Sequence, residues 1–219
     1  MPTTAPPPAT TAISLLTELR ELADTAPARA ALTCWNYLCA ASDDDDRDLL
    51  TALFSHGTAP QLDGDYDGIV AGKLFGLSIA ALANPIIALE PGWVGKSFNA
   101  DTGIGHNRMN RNAYLALRAL LPRYRGWQQS GKVFNGVRFE HRVERAALAP
   151  FNQVAAVTYT APELGNPIGP LFPMDRVRDE IVELVPGVYL GRALLTLRSG
   201  ESRAIGYFAM RTPRHEVQL

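Results

Sequence analysis

A chain of 219 residues with 21 basic and 22 acidic side chains is long enough to bury a core without staples. Its balanced charge supplies no field to hold nucleic acid or an acidic membrane. Cys34 and Cys39, in one helix-like run, do not face each other at bonding distance and are read as buried and reduced. The opening MPTTAPPPATTA lacks the basic start and apolar core of a signal peptide, and no run of about 18 uninterrupted apolar residues occurs, so a cytoplasmic protein is expected.

Residues 1–11 are Pro, Thr and Ala with nothing to bury, which predicts a disordered leader. From there to residue 56 the grammar is helical. Ile13, Leu16, Leu19 and Leu22 recur at a spacing of three to four, and Pro27 suits a first helical position before Leu32, Trp35 and Leu38. A third helix is expected over 45–54. The run Asp43-Asp44-Asp45-Asp46, with Asp48, has the look of an aspartate-rich magnesium motif. Helix capping explains it better, because negative charge at a helix start is favoured and no second metal motif follows. No pair of histidines has metal-ligand spacing, and no metal is expected.

Strand patterns fill residues 57–213. Short alternation with three glycines marks 64–72, and the Trp93 stretch and 103–109 give a strand and its return. The apolar segment 73–90, broken by Asn84-Pro85, is read as a buried helix or loop over one end of the sheet, and 111–121 as a helix ended by Pro122. Across 132–144, Val133, Asn135, Val137, Phe139, His141 and Val143 alternate with charged residues, so one face is core and the other water. Further strands are expected at 152–160, 179–185, 188–198 and 202–211, the last three joined at Pro186-Gly187 and Ser199-Gly200. All connections suit antiparallel neighbours. About eight strands in up-and-down order would close into a barrel able to hold one small ligand, giving a mainly β, α+β protein with N-terminal helices.

Phe54, Gly57 and Pro60, then Leu62-Asp63-Gly64-Asp65-Tyr66-Asp67-Gly68, then Gly92-Trp93-Val94-Gly95-Lys96-Ser97-Phe98, together resemble the motif order of the GXWXG-type proteins. The C-terminal hairpins, with Asp179-Glu180-Ile181-Val182, Tyr189-Leu190-Gly191 and Tyr207-Phe208-Ala209, resemble the domain that often follows it. Tyr66 stands where the family pattern has Trp, and the N-terminal helices and residues 111–121 lie outside the resemblance. It covers roughly two thirds of the chain and implies a lipocalin-like barrel around a ligand cavity. It carries over no catalytic residues.

The candidates for chemistry come from strand parity. His141 shares the apolar face of its strand with Asn135 and Phe139, which aims it into the lumen, where an imidazole can act as a general base, a satisfied core histidine being the competing reading. His106 is a second histidine in a strand. Glu180 shares a face with Val182 and Leu184, so burial would raise its pKa, with Arg192 or Tyr189 as partner. A plain ion pair on the barrel wall is the competing reading. Tyr189 with Gly191 and Ala193, and Tyr66 with Gly68, pair an aromatic with small residues, which either opens a cavity or bends a strand. Trp93 and Tyr207 complete the expected ligand-facing set of Tyr66, Trp93, Asn135, Phe139, Arg192 and Tyr207. Lys96 alternates away from Trp93 and is placed outside or at the rim.

These features read as a small-molecule-binding barrel working on a hydrophobic metabolite without a cofactor, as an isomerase, cyclase or hydro-lyase through His141, Glu180, Tyr189 and His106. A passive carrier or sensor of an apolar ligand, and a partner-binding module built on the N-terminal helices, are the alternatives. No nucleic acid or membrane partner is expected, and a homodimer is compatible with the sequence.

Overall fold

The computed structural model describes residues 8–75, 92–166, 168–169 and 172–213. Helix α1 spans Pro8–Thr25, α2 Pro27–Asp43 and α3 Arg47–Ser55. Helix α1 therefore takes in residues 8–11 of the expected disordered leader. Residues 1–7 of that leader lie outside the described residues, and within α1 Ala12 is wholly buried. The aspartate run does the work of a helix start. Asp46 accepts a hydrogen bond from Leu49 N at 3.0 Å and caps α3. Asp45, in a left-handed conformation at φ 50°, pairs with Arg47 at 2.7 Å and accepts from Lys73 N at 2.8 Å. No group of His, Cys, Asp and Glu among the described residues could hold a metal.

Strand β1 covers Gly64–Ala71, β2 Trp93–Asn99 and β3 Ile104–Met109, followed by helix α4 at Arg111–Leu120, whose N-terminus is capped by Asn110. The short β4, Gln128–Ser130, leads into β5, Val133–Arg145, and then β6, Gln153–Thr158. A two-stranded ribbon of β7, Ile168–Gly169, and β8, Phe172–Pro173, precedes β9, Val177–Val185, β10, Val188–Thr196, and β11, Ser202–Arg211. Leaving out β4 and the ribbon, each strand pairs antiparallel with the next, β3 pairs with β5, and β11 returns to β1. The result is a closed eight-stranded up-and-down barrel, which leaves no edge among these strands. Of the segment 73–90 expected to cover one end, residues 73–75 are described, and Phe75 N donates to Ile205 O at 2.9 Å. The rest lies outside the described residues. No helix among the described residues is long and apolar enough to cross a membrane.

The barrel wall is buried on both faces along β9 and β10. Outside, Val182, Leu184 and Leu190 meet Leu16, Leu38, Leu50 and Leu53 of the three helices. Each such side chain contributes about 1.5–3 kcal/mol by leaving water. Arg20 of α1 fastens the layers, donating to Leu184 O at 3.0 Å and to His56 O at 2.9 Å. Inside, Tyr66, Phe98, Phe139, Val157, Ile181 and Met210 pack together.

Bulges decide which side chains face inward. In β2, Trp93 sits opposite Met109 and Gly95 opposite Arg108, so Val94 is extra. In β5, Gly136 sits opposite Asn107 and Arg138 opposite His106, which leaves Val137 extra at φ 49°. Ile205 is skipped in the same way between β10 and β11. A bulge seats two residues in the place of one, so residues three apart across it share a face. Trp93 and Lys96 consequently both point inward, and the expected outside position of Lys96 is corrected. Asn135 falls on the outer face with Arg138, while Phe139 and His141 keep the inner one.

Gly95 makes the first bulge feasible. Its φ is 138°, and a Cβ there would lie 1.9 Å from Tyr66 O on the neighbouring strand. We therefore expect Gly95→Ala to lower unfolding stability by at least ~2 kcal/mol, read from urea denaturation, or to prevent folding.

Candidate functional site

A cavity of about 150 Å³ lies inside the barrel. Its lining comes from every barrel strand except β6, for which the residue directly after the strand, Tyr159, stands in. Most of the wall is apolar, with Met109, Val137, Val177, Ala193 and Phe208 among the lining residues, and its polar groups converge on one spot.

That spot is Lys96. The residue is 2% exposed, and its ammonium donates to Asp179 Oδ2, Tyr159 Oη and Asn107 Oδ1, each at 2.8 Å. Three donors meet three acceptors, as an ammonium requires. Tyr159 Oη in turn donates to Asp179 Oδ2 at 2.7 Å, and Trp93 Nε1 donates to Asn107 Oδ1 at 3.1 Å. Asn107 is itself held by Val137 O, to which Nδ2 donates at 3.0 Å. The rings of Phe139, Phe208, Tyr159 and Trp93 surround Nζ at 5.0, 5.4, 5.5 and 5.8 Å to their centroids, within reach of cation–π attraction.

Desolvation dominates the electrostatics. Burial lowers the Lys96 pKa, and the Asp179 charge opposes that shift without cancelling it. Burial first, and then Asp179, push the Tyr159 phenol well above its ordinary range. Both hydrogen bonds to Asp179 from the described residues fall on Oδ2. Oδ1 is left as an acceptor on a residue that lines the cavity.

The residues expected from the sequence are dispersed around this centre. Trp93 and Tyr207 line the cavity, and the Tyr207 hydroxyl lies 2.8 Å from Thr51 Oγ1 of α3. Phe139 belongs to the inner core and to the ring of aromatics about Lys96. Tyr66 and Tyr189 are buried edge to face at 5.2 Å in the inner core but do not line the cavity. His141 is half-buried, packed edge-on against Phe98, with Nε2 3.1 Å from Asn99 O. His106 and Asn135 face outward and share with Arg138 a polar groove of about 460 Å³. Among the described residues Asn135 Oδ1 has no hydrogen-bond partner.

Glu180 is buried, against the outside of the wall, in an ion pair with Arg192 of the kind the competing reading describes. Its Oε2 accepts from Arg192 Nε and Nη2 at 2.9 and 2.7 Å, and its Oε1 from Arg178 Nε at 3.0 Å and Ala147 N at 2.6 Å. Arg192 lies 4.3 Å over the Phe54 ring of α3. The pair Glu180 and Arg192 thus joins barrel to helices and is sealed off from the lumen. The carboxylate that faces the lumen is its neighbour Asp179. By strand parity Asp179 shares the face of Ile181, but the sign of that face, in or out, is not readable from one strand. Lys96, Asn107 and Tyr159 were missed because a bulge hides the phase of Lys96 and an isolated Asn or Tyr in a strand carries no pattern.

The fold and site define a closed up-and-down barrel with, among the described residues, one charged locus on the wall of a mostly apolar cavity. No family model, no curated protein and no solved structure matches the chain.

Two measurements separate the wall from the lumen. Glu180→Gln should cost on the order of 3 kcal/mol of stability by leaving the two arginines without a full counter-charge, with no change in the affinity of any lumen ligand. Burial lowers the pKa of both His106 and His141 from the ordinary 6.5, so the unfolded chain binds protons first. The stability that their neutral state permits is complete above that value and is lost as pH falls through the lower folded values. Thermal melts from about pH 7 to about pH 5 should drop less steeply in a His106→Gln, His141→Gln double variant than in the native protein.

Proposed function

We propose that the barrel binds a small, mostly apolar molecule carrying one polar group, and that Asp179, Lys96 and Tyr159 move a proton on it. The observation that carries this reading is a buried lysine–aspartate pair on the wall of an otherwise apolar cavity. Taking each ion out of water costs on the order of several kcal/mol, and packed hydrophobic side chains would fill the same space with no such cost. A buried lysine whose hold on its proton is weakened by desolvation, set beside a carboxylate on a cavity wall, is an arrangement that proton chemistry uses.

In this reading Asp179 Oδ1 is the base, on a residue that lines the lumen and without a donor among the described residues. The ammonium of Lys96 and the phenol of Tyr159 stabilise negative charge developing on a carbonyl or hydroxyl oxygen. Isomerisation, cyclisation and loss of water need only such a positioned acid and base around a confined conformer. A volume near 150 Å³ matches a single benzene-sized ring. The catalytic part assigned from the sequence to His141, Glu180, Tyr189 and His106 passes to these lumenal groups. Kinship with the GXWXG-type proteins belongs to this proposal. It is supported by the role of the motif glycines, since Gly95 permits the bulge that brings Trp93 and Lys96 to one face.

One observation favours a second reading, a carrier without turnover. All three donors of Lys96 already have acceptors within the barrel, as suits a pair that shapes the pocket without reacting. Ala193→Phe, which fills the cavity, should abolish binding of small cyclic alcohols followed by Trp93 fluorescence in either case. Asp179→Asn should remove turnover of a bound substrate by roughly a hundredfold or more if it is the base. Unchanged affinity in Ala193→Phe would refute lumenal binding.

A further inference from the structure

We propose that Lys96 is a nucleophile that condenses with the carbonyl group of a small apolar aldehyde or ketone held in the lumen, forming an iminium whose counter-ion is Asp179. This rests on the lumenal-binding reading and gives the bound molecule a chemical class.

A lysine attacks only as the free amine, and it does so readily when burial weakens its hold on the proton. Lys96 is buried, its pKa is lowered by desolvation, and its side chain borders an apolar cavity of the right scale for a short carbonyl compound. A proton acceptor stands beside it. Asp179 Oδ2 lies 2.8 Å from Nζ and takes the ammonium proton, the freed amine adds to the carbonyl carbon, and a carbinolamine forms. Asp179 then returns that proton to the departing hydroxyl, which leaves as water. The net change joins R₂C=O and a lysine ammonium into R₂C=NH⁺–lysine and water, with one positive charge before and after and Asp179 ionised at both ends.

The surroundings fit the product as well as the starting ammonium. An iminium keeps one N–H where the ammonium had three, so two acceptors lose a donor. Neither is stranded. Asn107 Oδ1 retains Trp93 Nε1 at 3.1 Å, and Tyr159 Oη retains its own bond to Asp179 at 2.7 Å with Asn107 Nδ2 at 3.4 Å as donor. The remaining N–H keeps Asp179. The four aromatic rings that face the ammonium face the larger, more weakly hydrated iminium equally well.

The sequence makes the test clean, because the chain has three lysines, Lys73, Lys96 and Lys132, and the other two are exposed. The full-length protein is treated with cyclohexanone or benzaldehyde and cyanoborohydride, then digested and mapped by mass spectrometry. The expected result is reductive alkylation at Lys96 faster than at Lys73 and Lys132 by roughly tenfold or more, suppressed by excess cyclohexanol and absent from folded Lys96→Arg. Asp179→Asn should slow labelling at Lys96 while leaving the other two sites unchanged. Labelling of Lys73 and Lys132 with none at Lys96, in native protein whose Trp93 fluorescence responds to cyclohexanol, would overturn the imine and leave lumenal binding standing. No response to cyclohexanol together with no labelling of Lys96 would overturn both.

Discussion

An ammonium group enclosed in a protein has to be neutralised and hydrogen-bonded where it sits, and here the requirement falls on Lys96. Its partners come from distant parts of the chain: Asn107 from β3, Tyr159 from beyond β6 and Asp179 from β9. The lysine is on β2, so the network runs from one side of the barrel to the other through its interior. It exists only when the sheet has closed with β3 beside β5. Any closure in a different register leaves a charge in the lumen without a partner, at a cost of several kcal/mol. The pair therefore adds little to net stability while penalising the alternatives to the native pairing.

The same strand settles a second buried charge on its other side. Asp179 and Glu180 are adjacent on β9, and the pleat sends one inward and the other outward. Glu180 meets Arg178 and Arg192 under the helical layer, whereas Asp179 meets Lys96. Both carboxylates are paired, yet they differ in what lies beyond the pair. Past Glu180 and Arg192 is the Phe54 ring, a packed apolar boundary. Past Asp179 is open volume. This difference, and not burial alone, separates a structural ion pair from one able to meet a ligand.

Much of the architecture was legible because it follows from local rules. Strand after strand carried turn residues at its ends, and the short connections forced antiparallel neighbours, so the eight-stranded up-and-down order could be read with boundaries close to those observed. The helices announced themselves through Pro27 and the aspartate run before α3, within which the structure picks out Asp46 as the cap. The site was less legible for a specific reason. Reading faces from parity assumes that every residue advances the pleat by one step, and at Val94 and Val137 that assumption fails. His141 and Asn135 were thus placed together although the barrel wall separates them, and Lys96 was sent outside. The glycine at 95 was the available signal, since a glycine within a strand marks a bulge or a close backbone approach. Glu180 failed differently. Its burial and its partner Arg192 were both inferable, but a wall covered by helices has apolar side chains on each face, and hydrophobicity no longer tells inside from outside.

The bulges give each strand something like a reading frame. Within a regular stretch of β2 or β5, adding or removing one residue exchanges every later side chain between lumen and outer wall. At Val94, Val137 and Ile205 the frame already carries one residue more than it needs. Chain length can change by one at those three places while Lys96, Asp179 and the aromatic rings around them keep the orientation they have. A one-residue insertion or deletion therefore disturbs the lumen least where the ladder is already broken.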